Sequence, residues 1–184
     1  HEPPKAEVLN FKPGDRFRRA AFAVIYDRAN NKTYEALADL NDQRVLSFKH
    51  VPGAQPSLML DDVLMFQAIV RGDAEWQAAM RKRGLTDFGK IQIEMWSAGH
   101  FGFPEEEGKR LFRGLAYLRG DSKNPYARPI EGVVAVVDMN ARKVLKVVDS
   151  GVVPVPQATA DFDEQAVGQL RAAPKPLQIV QPEG

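Results

Sequence analysis

Large and small apolar residues alternate through Phe22-Ala23-Val24-Ile25-Tyr26, and this period of two predicts a strand. Asn30-Asn31 follows with turn chemistry, because Asn tolerates positive φ. The chain then runs back from Tyr34 to Leu40 and returns from Arg44 to Val51, where Pro52-Gly53 ends a three-strand meander. Beyond it the period lengthens. Met59, Val63, Phe66 and Val70 recur at spacings of four, three and four, which predicts a helix with Asp61 and Asp62 as dipole-favoured acids in its first turn. Gly72-Asp73 breaks that run. Asp73 is placed to cap a second, shorter helix carrying Trp76, Ala79 and Met80 on one face, with Gly84 just past its basic end.

The second half returns to strand spacing. Ile91, Ile93 and Met95 alternate with Gln92, Glu94 and Trp96, and a further strand spans Leu111 to Arg119. A Val-rich hairpin over residues 132–149 turns at Asn140-Ala141-Arg142, and a short helix is expected between Asp161 and Arg171. The string Ala23-Val24-Ile25-Tyr26-Asp27 before Asn30 and Lys32 is echoed by Val134-Ala135-Val136-Val137-Asp138 before Asn140 and Lys143. The echo suggests two copies of one α+β unit, each a curled antiparallel sheet beside a helix. Their boundary is expected near residues 85–89, giving domains 1–87 and 88–184. From about residue 150 the character changes: Pro154, Pro156, Pro174, Pro176 and Pro182 fix φ and remove backbone donors, so an extended connector is expected rather than a central strand.

Composition narrows the function classes. A chain of 184 residues, 44% hydrophobic and 27% charged, reads as soluble and globular, with room for two cores. Twenty-five basic against 24 acidic residues leave a net charge of +1, so no bulk field recruits nucleic acid or an anionic membrane. The absence of cysteine removes disulfides, thiolate nucleophiles and sulfur ligands. No apolar run approaches the roughly 20 residues that span a bilayer. The start His1-Glu2-Pro3-Pro4-Lys5 lacks Met, which leans the expected location towards secreted or periplasmic, with the cytoplasm left open.

Several strings carry a family resemblance. Asn124-Pro125-Tyr126-Ala127-Arg128-Pro129-Ile130-Glu131-Gly132 is followed by the Val-rich hairpin and by Gly151-Val152-Val153-Pro154-Val155-Pro156. Ser97-Ala98-Gly99, Lys109-Arg110 and Arg113-Gly114-Leu115-Ala116-Tyr117 precede them. In this order the segments resemble the third N-terminal region of copper amine oxidases, the N3 region, and the preceding half resembles the second, N2. The resemblance implies two tandem cystatin-like domains, an absent C-terminal catalytic domain as partner, a homodimeric parent, and copper and topaquinone as the parent's cofactors. It also implies that Trp96, before Ser97-Ala98-Gly99, and Tyr126, before Ala127-Arg128-Pro129, line the substrate channel of the intact enzyme. Ordinary packing of large rings on a sheet is the competing reading for both.

The chemistry of that family needs a Tyr within Asn-Tyr-Asp/Glu beside copper held by three His, two of them as His-x-His. Tyr26, Tyr34, Tyr117 and Tyr126 lack that context, and His1, His50 and His100 lie about fifty residues apart. Catalytic, cofactor-binding and metal residues are therefore expected to be none, and the chain alone is not expected to oxidise amines. His50 reads as a polar strand edge and His100 as part of a loop between strands. Glu105-Glu106-Glu107 lacks the alternating spacing of a calcium loop and reads as a solvated acidic stretch. Arg16-Arg18-Arg19 reads as part of an alternating strand and Arg81-Lys82-Arg83 as a helix C-terminus. Neither cluster interleaves with a row of aromatics, so nucleic acid is not an expected partner. A cystatin wedge needs Gln-x-Val-x-Gly, whereas Gln165-Ala166-Val167-Gly168 brings its glycine one position early. Two functions remain: the non-catalytic N-terminal domains of an amine oxidase, or a free-standing secreted binding module of the same fold.

Overall fold

The structure is a computed structural model that describes residues 2–158, 161–173 and 175–178. Helix α1 (Lys5–Asn10) buries no residue. Strands β1 (Ala20–Asp27), β2 (Lys32–Asp39) and β3 (Arg44–Val51) form an antiparallel sheet in that order. Helices α2 (Leu60–Gly72) and α3 (Ala74–Lys82) follow. A second antiparallel sheet holds β4 (Ile91–Ser97), β5 (Leu111–Leu118), β6 (Pro129–Asp138) and β7 (Lys143–Asp149), again in chain order. The short α4 (Glu164–Val167) continues into a 3-10 turn, Gly168–Leu170. The period-two and period-3.6 readings therefore locate the principal elements to within a few residues.

The helix signals act locally as expected. The Asp73 carboxylate accepts the Trp76 backbone N–H at 2.8 Å, and Gly84 takes a φ of 74° after the last turn of α3. What these helices cover differs from the expectation. Phe66, Val70, Trp76, Ala79 and Met80 join Ile91, Ile93, Phe112, Ala116, Ile130, Ala135 and Val137 in one buried cluster. Both helices thus pack on the second sheet, and the buried cluster runs across the boundary expected near residues 85–89. The physical reason lies in β5 and β6, where small residues let a helix sit close. A Cβ added to Gly114 would meet the Phe66 ring at 3.2 Å, and Ala116 and Ala135 lie in the same buried cluster.

Among the described residues no helix packs across a face of the first sheet. Phe22, Val24, Ile25, Val45 and Phe48 are all at least 42% exposed. Residues 16–19 precede β1, so the Arg16-Arg18-Arg19 cluster is not in a strand. Residues 151–158 form neither helix nor strand and include Pro154 and Pro156. Of the other prolines expected in the connector, Pro176 also has no regular structure, while Pro174 and Pro182 lie outside the described residues, as does His1. No helix among the described residues is long and apolar enough to cross a membrane.

Candidate functional site

Alternation along β4 turns Ile91 and Ile93 into the helix-covered core and Gln92, Glu94 and Trp96 to the opposite face. Tyr117 stands on that outer face across from Gln92. One end of the face is closed by a small cluster of Ala98, Leu111, Val136 and Leu145. Trp96, two residues before Ala98, is 57% exposed, and Tyr126, beside Tyr117 towards the other end, is 53% exposed.

Tyr126 reaches this face from the loop joining β5 to β6. Its hydroxyl donates to Glu94 Oε1 at 3.0 Å, and its ring meets Tyr117 edge-on with centroids 5.3 Å apart. The Gln92 amide donates to the same Glu94 oxygen at 2.8 Å. The loop is anchored from the C-terminal segment: Asp161 accepts from the Ser122 hydroxyl at 2.6 Å and from the Asn124 N–H at 2.9 Å, and Lys123 pairs with Asp163 at 2.9 Å. The hydrogen bond to the Glu94 carboxylate, reinforced by its charge, raises the Tyr126 phenol above its ordinary value. Trp96 and Tyr126 are thus brought to one face through Glu94, without a ring contact between them.

A second constellation joins the two sheets. Asp62, in the first turn of α2, is fully buried and accepts from Arg110 at 2.6 Å and from Arg28 at 2.8 Å. Burial pushes its carboxyl up, but the hydrogen bonds from Arg110 and Arg28 outweigh this and hold it below its ordinary value. Arg110, itself buried, also donates to the carbonyls of Pro56 and Ser57 and lies 4.9 Å from the Tyr26 ring centroid. Tyr26 in turn hydrogen-bonds Asn31 at 2.6 Å and Asn140 at 3.1 Å, so the two sheets' echoed turns touch each other. Asp62 is therefore more than a dipole-favoured acid; it is the hub of the junction.

Beside the junction lies a cleft of about 750 Å³, lined from the first sheet's side by His50 and residues 53–57 and from the other by residues 97–103 and 106–112. His50 and His100 both line it and both are exposed. No group of three or more His, Cys, Asp or Glu side chains able to hold a metal comes together among the described residues. His50 and His100 do not amount to the three-histidine set that copper needs in the family resembled. The acidic stretch is not simply solvated. Glu106 pairs with Arg113 at 3.0 Å and Lys146 at 3.1 Å, fixing the loop over β5.

The sequence singles out Trp96 and Tyr126 as candidates but gives no sign of Glu94 between them or of the buried role of Asp62. Alternation could have put Glu94 on the face of Trp96. Nothing local indicates that Tyr126, 32 residues on, returns to it.

Residues 61–165 match the family described as copper amine oxidase, N3 domain. The whole chain is 40% identical to a primary amine oxidase of Arthrobacter sp. (strain P1), of which it covers 28%, and 35% identical to one of Klebsiella aerogenes, of which it covers 24%. It is also similar in fold to a copper-containing benzylamine oxidase from Hansenula polymorpha, with a TM-score of 0.64 at 19% identity over 99% of this chain and 31% of that one. The chain thus spans about a quarter to a third of the length of these relatives. By the family match over its helices and second sheet, with an identity of 40% to an amine oxidase across its full length, this chain belongs to the copper amine oxidases as their N-terminal region.

Proposed function

We propose that this chain forms the non-catalytic N-terminal domains of a copper- and topaquinone-dependent amine oxidase. The whole enzyme converts a primary amine, water and oxygen to an aldehyde, ammonia and hydrogen peroxide. The cofactors and the residues that bind them reside in polypeptide beyond this chain. The observation that carries the reading is the full-chain similarity to amine oxidases several times longer. The division into two units falls ahead of α2, because the core of the helices is completed by β4–β7. The two units pack on the catalytic domain of a homodimer. The bare apolar faces of the first sheet are the natural contact, since large exposed apolar patches mark interfaces. Pro154 and Pro156 stiffen the connector that leads on. Trp96 and Tyr126 line the substrate's path to the buried cofactor.

The test is an amine-dependent peroxide assay on this chain alone and on a longer polypeptide containing Asn-Tyr-Asp/Glu and His-x-His. Turnover only by the longer polypeptide is expected, with Trp96→Ala and Tyr126→Ala changing KM for bulky amines more than kcat. Stoichiometric copper with turnover by residues 1–184 overturns the reading. The second reading, a secreted binding module, is favoured by the same exposed sheet, and a reading frame that stops after Gly184 supports it.

A further inference from the structure

We propose that Glu94, ringed by Trp96, Tyr117 and Tyr126, is a recognition site for the protonated amino group of a primary amine. The inference rests on the channel reading for Trp96 and Tyr126, and adds to it the group that selects for charge.

Glu94 is half-buried, with Oε1 accepting from Tyr126 and Gln92. Among the described residues no Lys or Arg lies within 4 Å of it, and Oε2 has no donor. Several other acids near this sheet are paired: Asp149 with Arg83 and Lys82, Glu106 with Arg113 and Lys146, Glu105 with Lys146. Arg113, across from Trp96 on the same face, is engaged by Glu106 and by the Ala98 carbonyl, so its charge is already partnered. Glu94 is thus a carboxylate held through Oε1 by two neutral donors, with Oε2 open and no counter-ion among the described residues.

Its surroundings suit a cation with an apolar body. Trp96 stands two residues along the same strand, on the same face at about 7 Å spacing. Tyr117 and Tyr126 add a perpendicular pair of rings. Ring faces attract an ammonium through their quadrupole, and the half-buried setting strengthens the pairing with the carboxylate. A neutral alcohol of the same shape gains neither term. An anion is repelled. The site therefore selects R–NH3⁺ over its neutral isostere.

The experiment titrates this chain with 2-phenylethylammonium and with 2-phenylethanol, following the backbone amide and indole NMR signals of residues 92–96, 117 and 126. The ammonium is expected to shift these signals at low-millimolar concentration and the alcohol to need at least several-fold more. Glu94→Gln, close to isosteric, weakens ammonium binding roughly three- to tenfold and abolishes its salt dependence. Tyr126→Phe removes one of the two donors to Oε1 and leaves ammonium binding equal or tighter. Equal shifts from ammonium and alcohol, or unchanged binding in Glu94→Gln with its spectrum otherwise native, overturn the proposal. The two readings fail separately. If the chain binds ammonium at Glu94 while the longer polypeptide oxidises no amine, the oxidase reading falls and the site stands. If the longer polypeptide oxidises amines with KM and its salt dependence unchanged in Glu94→Gln, the site falls and the oxidase reading stands.

Discussion

Asp62 concentrates the energetics of the junction in one side chain. A buried carboxylate is tolerable here only because two guanidinium groups share it. Removing it strands Arg110, whose side chain is 1% exposed. Asp62→Ala is expected to cost about 3–5 kcal/mol in urea unfolding, whereas Asp61→Ala on the exposed side of the same turn should cost under about 1 kcal/mol. Asp149 gives the matching pH prediction. Hydrogen bonds from Arg83 and from the Gly151 N–H hold its carboxyl down at about 2. A carboxyl lowered on folding stabilises the native state above its unfolded value near 4, and that contribution is lost as pH falls from about 4 towards 2. Asp149→Asn should flatten the acid limb of stability in that window while leaving the neutral and alkaline limbs parallel to the parent. The same Arg83 explains Gly132. At φ 73°, its missing Cβ leaves room for the Gly151 carbonyl, so Gly132→Ala collides with backbone and should destabilise by more than about 1 kcal/mol.

Among elements, the tight turns share one design. Asp27, Asp39 and Asp138 each accept from backbone N–H groups of the following turn, and the fifth residue, Asn31, Gln43 or Arg142, takes a φ of 51–52°. Two of these turns are legible as an internal echo; the third, Asp39 to Arg44, is legible only as a chain reversal, since neither Gln43 nor its neighbours repeat that string. Left-handed backbone costs a non-glycine residue about 1–2 kcal/mol, and glycine's extra chain entropy returns part of that. Gln43→Gly should therefore raise stability by about 0.5–1 kcal/mol in thermal or urea unfolding. Asn31→Gly should gain nothing, since the Asn31 side chain bonds Tyr26, Asn140 and the Gly108 carbonyl. The helices were equally legible as elements: Asp73 as cap and Phe66 and Val70 as buried positions follow from spacing alone. Which sheet they would cover was not legible, because an apolar stripe specifies burial and leaves its partner open.

Across the whole molecule, the buried clusters and the residues packed on them draw on residues 65–155 and on none from β1–β3. A fragment of residues 54–171 should therefore fold cooperatively, weakened by the loss of Arg28 from the junction, while residues 2–53 alone should show no cooperative transition. Circular dichroism and urea melts of the two pieces check this, and a folded 2–53 piece would contradict it. The first sheet depends on what it is set against, here Arg110 and the turn at Asn140, and in the proposed enzyme the catalytic domain as well.

The sequence by itself determined the local structure, since strand alternation, turn chemistry and the Asp73 cap act over a few neighbours. It also carried the family resemblance, in strings that persist through short-range order. Only the tertiary structure decided the long-range pairings. Asp62 reaches Arg110 across 48 residues, Tyr126 reaches Glu94 across 32, and α2 and α3 choose β4–β7 over the preceding β1–β3. Those choices are settled by which surfaces leave room and which charges lack partners once the chain is compact, and neither quantity exists for a stretch of sequence read alone.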